Sequence, residues 1–492
     1  MTDTSTKRRG GKACVIGAGP NGLAAAIVLA QAGLSVEVYE AEATIGGAAR
    51  TMELTLPGFQ HDFGSAVHPM AAGSPFFTSL PLQEFGLEWI HSPAPLAHPL
   101  DGGRALVLER DLNATETALG EDGRAWRQMM EPFVSRWSEL TDDILGPVMH
   151  VPRHALLLAR FGMKALLPAA TLARRFRGEA ARALFAGLAA HSFLSLDQPL
   201  SASFGLVLGA SAHAVGWPIP RGGAQALSNA LAGHLVSLGG VIKTSARVEK
   251  LGDLPEYDVV LCDVTPRQLL AMTSDADAAR NTLTDSYRRR LKRYKYGPAA
   301  FKVDYALSRP IPWNAPECAR AATVHLGGTL EEIAASERAM AGGRIAEQPF
   351  VLLSQPTLFD ATRAPDGKHI AWAYCHVPGN SREDMLQRLE AQIERFASGF
   401  GQCVMARRVW SPADLEAQDA NLVGGDIMGG TMSPRQLVFR PTARGYRTSS
   451  PKVYLCSAST SPGGGVHGMC GYNAARLALR DPGYPPPPIL KS

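Results

Sequence analysis

A chain of 492 residues leaves room for about three domains, and 46% hydrophobic with 19% charged residues is the make-up of a globular protein with a large core. The formal net charge of +4 is too small for the chain as a whole to seek nucleic acid. Seven cysteines (Cys14, Cys262, Cys318, Cys375, Cys403, Cys456, Cys470), odd in number and without a C-x-x-C, point to neither a zinc site nor a disulfide framework.

Residues 1–11 read as a flexible end. The basic Lys7-Arg8-Arg9 followed by apolar residues is not a secretion signal, because a glycine turn, Pro20 and Asn21 interrupt the apolar stretch. Lys12–Ile16 reads as a short buried strand, followed by Gly17, Gly19 and Gly22 in a G-x-G-x-x-G turn that also holds Pro20 and Asn21. Leu23–Ala30 is rich in helix formers, Gly33 fits a helix C-cap, and Leu34–Tyr39 alternates like a second strand. This strand–turn–helix–strand order seats a dinucleotide: the glycines let backbone approach a pyrophosphate, and the helix N-terminus offers free N–H groups. Glu40, followed by Ala41, closes the second strand, where a carboxylate accepts hydrogen bonds from ribose hydroxyls. An acid there disfavours a 2′-phosphate.

Ile45-Gly46-Gly47-Ala48-Ala49-Arg50-Thr51 follows directly. Adjacent glycines let main chain press on a flat or anionic ligand, and Arg50 can give phosphate a charge-assisted contact. The segment resembles the G-G-x-x-R-T extension of the FAD-binding oxidoreductases that include amine oxidases and carotenoid desaturases. The resemblance implies FAD rather than NAD, and a following segment, Phe59–Pro69, that runs toward the flavin ring. His61 and His68 then become candidate proton acceptors, with backbone-holding loop roles as the alternative.

Trp126–His191 reads as mainly helical. Within it, 148–182 carries seven basic side chains (Arg153, Arg160, Lys164, Arg174, Arg175, Arg177, Arg182) against one acid, Glu179, interleaved with large apolar residues. That pattern suits a membrane surface or a lid over a lipid-like substrate as well as it suits a solvated basic face. Pro220–Leu227 carries a P-x-G-G turn that opens a helix, Gly239–Leu251 alternates like strands, and Tyr257–Asp263 reads as a buried strand. In similar flavoproteins the residue matching Val248 contacts the adenine side through its backbone. Phe301–Leu307 begins another sheet; Lys302 invites comparison with the lysine that amine oxidases hold near flavin N5, but alternation puts it on one face with Asp304, so pairing is expected.

Near the end, Val453–Ala458 reads as a strand and Ser459–Gly468 carries P-G-G-G-V-H-G, with Gly464, Gly465, Val466 and His467 at its centre. A helix starting near Gly468 points its N-terminus at whatever the loop covers, and such a dipole stabilises negative charge. Together these segments resemble phytoene-desaturase-type flavoproteins, in particular the phytoene-dehydrogenase-related branch that includes pyridine nucleotide-disulphide oxidoreductase domain-containing proteins. Gly464 and His467 depart from bacterial carotenoid desaturases, which tend to carry an alanine and a small apolar residue there. The resemblance implies an α/β chain: a Rossmann-like FAD-binding domain of the GR2 flavoprotein type with an interleaved α+β substrate domain and a helical lobe. The expected divisions are 12–105, 220–295 and 430–482 for the FAD-binding domain, 106–219 for the lobe, 296–429 for the substrate-domain sheet, and 1–11 and 483–492 as flexible ends.

The implied activity is FAD-dependent dehydrogenation or desaturation of a hydrophobic, carotenoid- or lipid-like molecule, with His467, His61 or His68 as proton acceptor. A flavin amine oxidase, a saturase or isomerase, and a non-catalytic assembly or partner-binding protein are the alternatives. The lack of a close cysteine pair argues against a flavin disulfide reductase. Only one dinucleotide fingerprint occurs, so oxygen, a quinone or another acceptor takes the electrons. Cys470 lies outside the usual attachment pattern, so non-covalent FAD is expected. No metal is expected. No segment has the length and purity of a membrane span; a cytoplasmic protein, with a peripheral membrane contact as an option, follows from that and from the cysteines.

Overall fold

The computed structural model describes residues 10–273 and 283–481. The expectation for the two ends therefore falls, apart from residues 10 and 11, outside the described residues.

Five parallel strands form the nucleotide sheet in the order Val453–Leu455, Val259–Cys262, Lys12–Ile16, Ser35–Tyr39, Val241–Lys243. Ala13–Ile16 and Val259–Cys262 are buried, as strands covered on both faces must be. Helix Pro20–Gln31 makes the crossover between the first two strands, with Lys12 in register with Ser35 and Ile16 with Tyr39. It ends beside Gly33, whose φ of +86° is the left-handed conformation the C-cap reading requires. Of the alternating stretch 239–251, only Val241–Lys243 forms a strand. The chain beyond it instead gives the N–H groups of Ser245 and Ala246 to the carbonyls of Glu42 and Glu40.

Seven strands form the second sheet: Val404–Trp410, Ala299–Leu307, His369–Val377, Val351–Ser354, Ala321–Leu326, Ala94–Leu100 and Arg104–Leu108. All neighbours are antiparallel except Ala321–Leu326 against Ala94–Leu100. Residues 94–105, placed by sequence with the nucleotide segment 12–105, thus pair in this sheet. Both faces of Ala94–Leu100 are buried, so the strand shows no alternation that assigns it to one sheet or the other. The lobe between Leu108 and Ile219 is helical; its longer helices are Gly123–Val134, Ala155–Ala165, Glu179–Ala190 and Ser201–Ala214.

Helix Met469–Arg480 returns from the C-terminal region to lie on helix Pro20–Gln31. Their contact is backbone-close: a Cβ atom at Gly471 would stand 1.8 Å from the carbonyl oxygen of Asn21. Alanine in a helix interior is ordinarily favoured over glycine by ~1 kcal/mol. At this position overlap with rigid backbone outweighs that gain. Gly471→Ala is expected to destabilise the protein by ~1–3 kcal/mol, seen as a lower midpoint in thermal unfolding.

Candidate functional site

A cavity of about 380 Å³ runs from the first glycine turn, past the second glycine pair and the C-terminal glycine loop, to the helical lobe. At one end it is lined by Gly19, Pro20 and Asn21, at the N-terminus of a helix whose own N-cap residue offers no side-chain cap. Gly22 N–H is held by Asp263 Oδ2 at 2.8 Å. Side chains are excluded here: a Cβ at Gly22 would stand 2.0 Å from the Gly17 carbonyl oxygen. Glu40 is buried, with Oε2 accepting the N–H of Ala18 at 2.7 Å and Oε1 that of Glu42 at 2.9 Å. A helix terminus capped only by Asp263 from across the turn, glycines that admit no side chain and a fixed acid beside them form a fitting cradle for a dinucleotide.

Gly47, Ala48 and Ala49 continue the wall. Arg50 lies behind it: its Nε donates to Gly47 O at 2.7 Å and its Nη2 to Gln418 O at 3.1 Å, so it braces the glycine pair. Opposite run Ser457–Ser459 and Gly464–Val466. Gly465 holds φ at +123°, a conformation side chains resist, and this turns the loop's backbone along the cavity. The helix that follows begins after Gly468, as the sequence predicts.

The three candidate histidines separate. His68 lines the cavity, neither ring nitrogen makes a hydrogen bond of good geometry, and burial pushes it down to about 4. His61 stands behind the wall, its Nε2 2.8 Å from Thr55 Oγ1 and its Nδ1 3.8 Å from Asp304. His467 is also off the cavity wall; its Nδ1 accepts the N–H of Met469 at 3.0 Å, which caps the last helix and places any ring proton on Nε2. Gly17, Gly22, Gly46, Glu40, Ala41 and Val248 likewise lie off the wall of the cavity, while Gly19, Pro20, Asn21, Gly47, Ala48, Gly464, Gly465 and Val466 line it.

Several wall residues lie outside the site expected from sequence. Lys302 does pair with Asp304, Nζ lying 2.6 Å from both carboxylate oxygens, yet it also lines the cavity. Trp410 Nε1 donates to the same carboxylate at 2.8 Å. Burial pushes the Lys302 ammonium down and the Asp304 carboxyl up, while their contact opposes both shifts. Beneath them Asp62 is held by Arg363 Nη2, Thr51 Oγ1 and the Ala224 N–H, each at 2.8 Å. Trp372 and Tyr374 stack at 5.6 Å beside Lys302's strand. The lobe end is walled by Phe193, Phe204, Leu208 and Trp217, with His191 bound to the buried His325 at 3.0 Å. Asp263 and Asp419 line the nucleotide end. For Asp263 a signal did exist: ligands of parallel sheets bind at the carboxyl ends of strands, and it follows Cys262 there.

The sequence profile described as flavin containing amine oxidoreductase matches residues 21–478, nearly the whole chain. The chain belongs to that family. Pyridine nucleotide-disulfide oxidoreductase domain-containing protein 2 of Mus musculus is 30% identical, covering 95% of this chain and 93% of its own. A phytoene dehydrogenase of Streptomyces griseus is 26% identical, covering 92% and 91%. Among solved structures, an oxidoreductase from Methanosarcina mazei superposes with a TM-score of 0.62 at 17% identity, covering 95% of this chain and all of its own. Putrescine oxidase bound to putrescine gives 0.58 at 16%, covering 96% and 98%. This family member is an FAD-dependent oxidoreductase with a Rossmann-like α/β fold. Glu40→Ala removes the acceptor that fixes the turn at Ala18, and FAD retention after gel filtration, read from the visible flavin band, is expected to fall by about tenfold or more.

Proposed function

We propose that this oxidoreductase dehydrogenates or desaturates a hydrophobic, carotenoid- or lipid-like molecule bound between the C-terminal glycine loop and the helical lobe. The observation that carries the reading is the apolar wall of Phe193, Phe204, Leu208, Trp217, Leu352 and Leu353, continuous with the glycine loops in one cavity. When bound, FAD would supply the hydride acceptor, with oxygen, a quinone or another compound as the final electron acceptor. In this reading Gly19–Asn21, with the glycine pair Gly46-Gly47 braced by Arg50, hold the diphosphate, Glu40 the ribose, Ala41 and Val248 the adenine side, and Gly464–Val466 back the ring. Held non-covalently, FAD needs no thiol: Cys470 is buried, its Sγ turned to the carbonyls of Thr460 and Gly463.

His68 is the proton acceptor that geometry favours over His61 and His467. Burial keeps it neutral well below pH 7, so it is ready to accept throughout the physiological range. His68→Gln is expected to slow anaerobic flavin bleaching by substrate by ~100-fold with the flavin spectrum unchanged; an unchanged rate would remove His68 from the reaction.

An amine oxidase is the second reading, favoured by Lys302 on the cavity wall beside Trp372 and Tyr374. Anaerobic mixing of the flavin-loaded protein with polyenes, other lipids and amines separates the two. Bleaching by apolar substrates is expected; bleaching by amines alone would replace the first reading with the second.

The lobe supports the peripheral membrane reading. Val148, Met149, Val151, Leu156, Met163 and Leu166 are exposed, Val151 at 91% and Leu156 at 87%, and Arg153, Arg160, Arg174 and Arg175 are exposed among them. Helix Ala155–Ala165 packs on Ser201–Ala214, which contributes Phe204 and Leu208 to the cavity. Exposed apolar side chains interleaved in sequence with exposed arginines suit an anionic lipid surface. No helix among the described residues is long and apolar enough to cross a membrane. Co-sedimentation with phosphatidylserine-containing vesicles is expected, and Val151→Asp with Leu156→Asp is expected to weaken it by about tenfold or more. Absence of binding by the unaltered protein would remove the membrane contact.

A further inference from the structure

The nucleotide end of the cavity presents a buried carboxyl group where an anion is to be held. Asp263 leaves the Val259–Cys262 strand and lies against the first glycine turn. Its Oδ2 accepts the N–H of Gly22 at 2.8 Å, and a Cβ atom at Gly19 would stand 3.1 Å from the same oxygen. The group lines the cavity and is 6% exposed.

Its surroundings are acidic. Asp419 approaches from the segment that follows helix Pro412–Gln418, its Oδ2 3.6 Å from where a Cβ at Gly47 would be. Glu40 faces it from the end of the second strand, and both carboxylates act on it through their charge. The thiols of Cys262 on its own strand and Cys456 on the neighbouring one are pushed up by burial and stay neutral. Arg50, across the glycine pair, is committed to the carbonyls of Gly47 and Gln418. Among the described residues Asp263 has no ion-pair partner.

One helix N-terminus can stabilise one anion. A diphosphate beside an ionised Asp263, with the carboxyl groups of Asp419 and Glu40 also facing it, sets like charges together against the single guanidinium of Arg50. A neutral carboxyl resolves the conflict: Oδ2 continues to accept from Gly22, and the proton on Oδ1 becomes a donor. Burial and the two neighbouring carboxylates already push Asp263 up to about 7 before any phosphate arrives.

We propose that Asp263 meets the FAD diphosphate as a neutral carboxylic acid, donating a hydrogen bond to a phosphate oxygen, so that binding FAD takes up one proton from solvent. The linkage has a definite sign. A nearby dianion raises the carboxyl's affinity for its proton, so FAD affinity is full at pH values below the free protein's titration and declines above it, tenfold per pH unit for one proton.

The test uses apoprotein stripped of flavin and FAD as ligand, and reads binding rather than turnover. Dissociation constants from quenching of flavin fluorescence are expected to be level between about pH 5.5 and 6.5 and to weaken about tenfold between about pH 7.5 and 8.5. Calorimetric titration at about pH 8 in two buffers of different ionisation enthalpy is expected to report uptake of close to one proton. Asp263→Asn, neutral and still able to donate, is expected to bind FAD with no slope and no proton uptake, whereas Asp419→Asn keeps both, with the slope beginning at lower pH. A level profile or absent proton uptake in the unaltered protein overturns the proposal even if the variant does not fold. So does a slope that persists in Asp263→Asn or disappears in Asp419→Asn.

Discussion

The cavity depends on one contact, the seating of the Gly17–Gly22 turn on the carboxyl end of the Val259–Cys262 strand. Gly17 packs on the backbone of Asp263, Gly22 donates to its carboxyl, and the Asp263 N–H returns to Ile16 O. This junction ties segments more than two hundred residues apart into one parallel sheet. It also fixes the direction of helix Pro20–Gln31, whose N-terminus opens the cavity, and of helix Met469–Arg480, packed on it through Gly471. The C-terminal glycine loop is therefore placed by the same contact. Little of this junction can move, because Gly17 meets the Asp263 backbone directly and Gly22 is held by its carboxyl.

Two buried cations are matched by carboxylates, Lys302 by Asp304 and Arg363 by Asp62. Isolated charges in such an interior would cost several kcal/mol each. Paired with Asp304, Lys302 can orient a ligand from the cavity wall without presenting an unmatched positive charge. Asp263, Asp419 and Asp426 depart from this pattern, lining the cavity with carboxyl groups that burial pushes up, and Asp263 sits at the end where a charged ligand arrives.

The lobe joins the cavity to the surface. Ser201–Ala214 is buried between the cavity wall and neighbouring helices, while Ala155–Ala165 turns Leu157 and Phe161 inward and Leu156, Arg160 and Met163 outward. One helix thus serves the core on one face and offers a basic, apolar surface on the other. In the proposed reading the same layer that closes the cavity meets a lipid surface, and no helix among the described residues is long and apolar enough to cross one.

What the sequence determined by itself was local in origin. The G-x-G-x-x-G turn, the C-cap at Gly33, the helix after Gly468 and the acid at Glu40 are set by backbone conformations and spacings that few residues permit, so they are legible one segment at a time. The pairing of Lys302 with Asp304 followed from strand alternation in the same way. The tertiary structure decided what depends on separation in sequence: that 94–105 joins the seven-stranded sheet, that His68 reaches the cavity while His61 and His467 stand behind it, and that Asp263 rests on the turn. A side chain's environment is made by strands and helices contributed from elsewhere in the chain. Periodicity reports which face is buried, and only the packed fold reports against what.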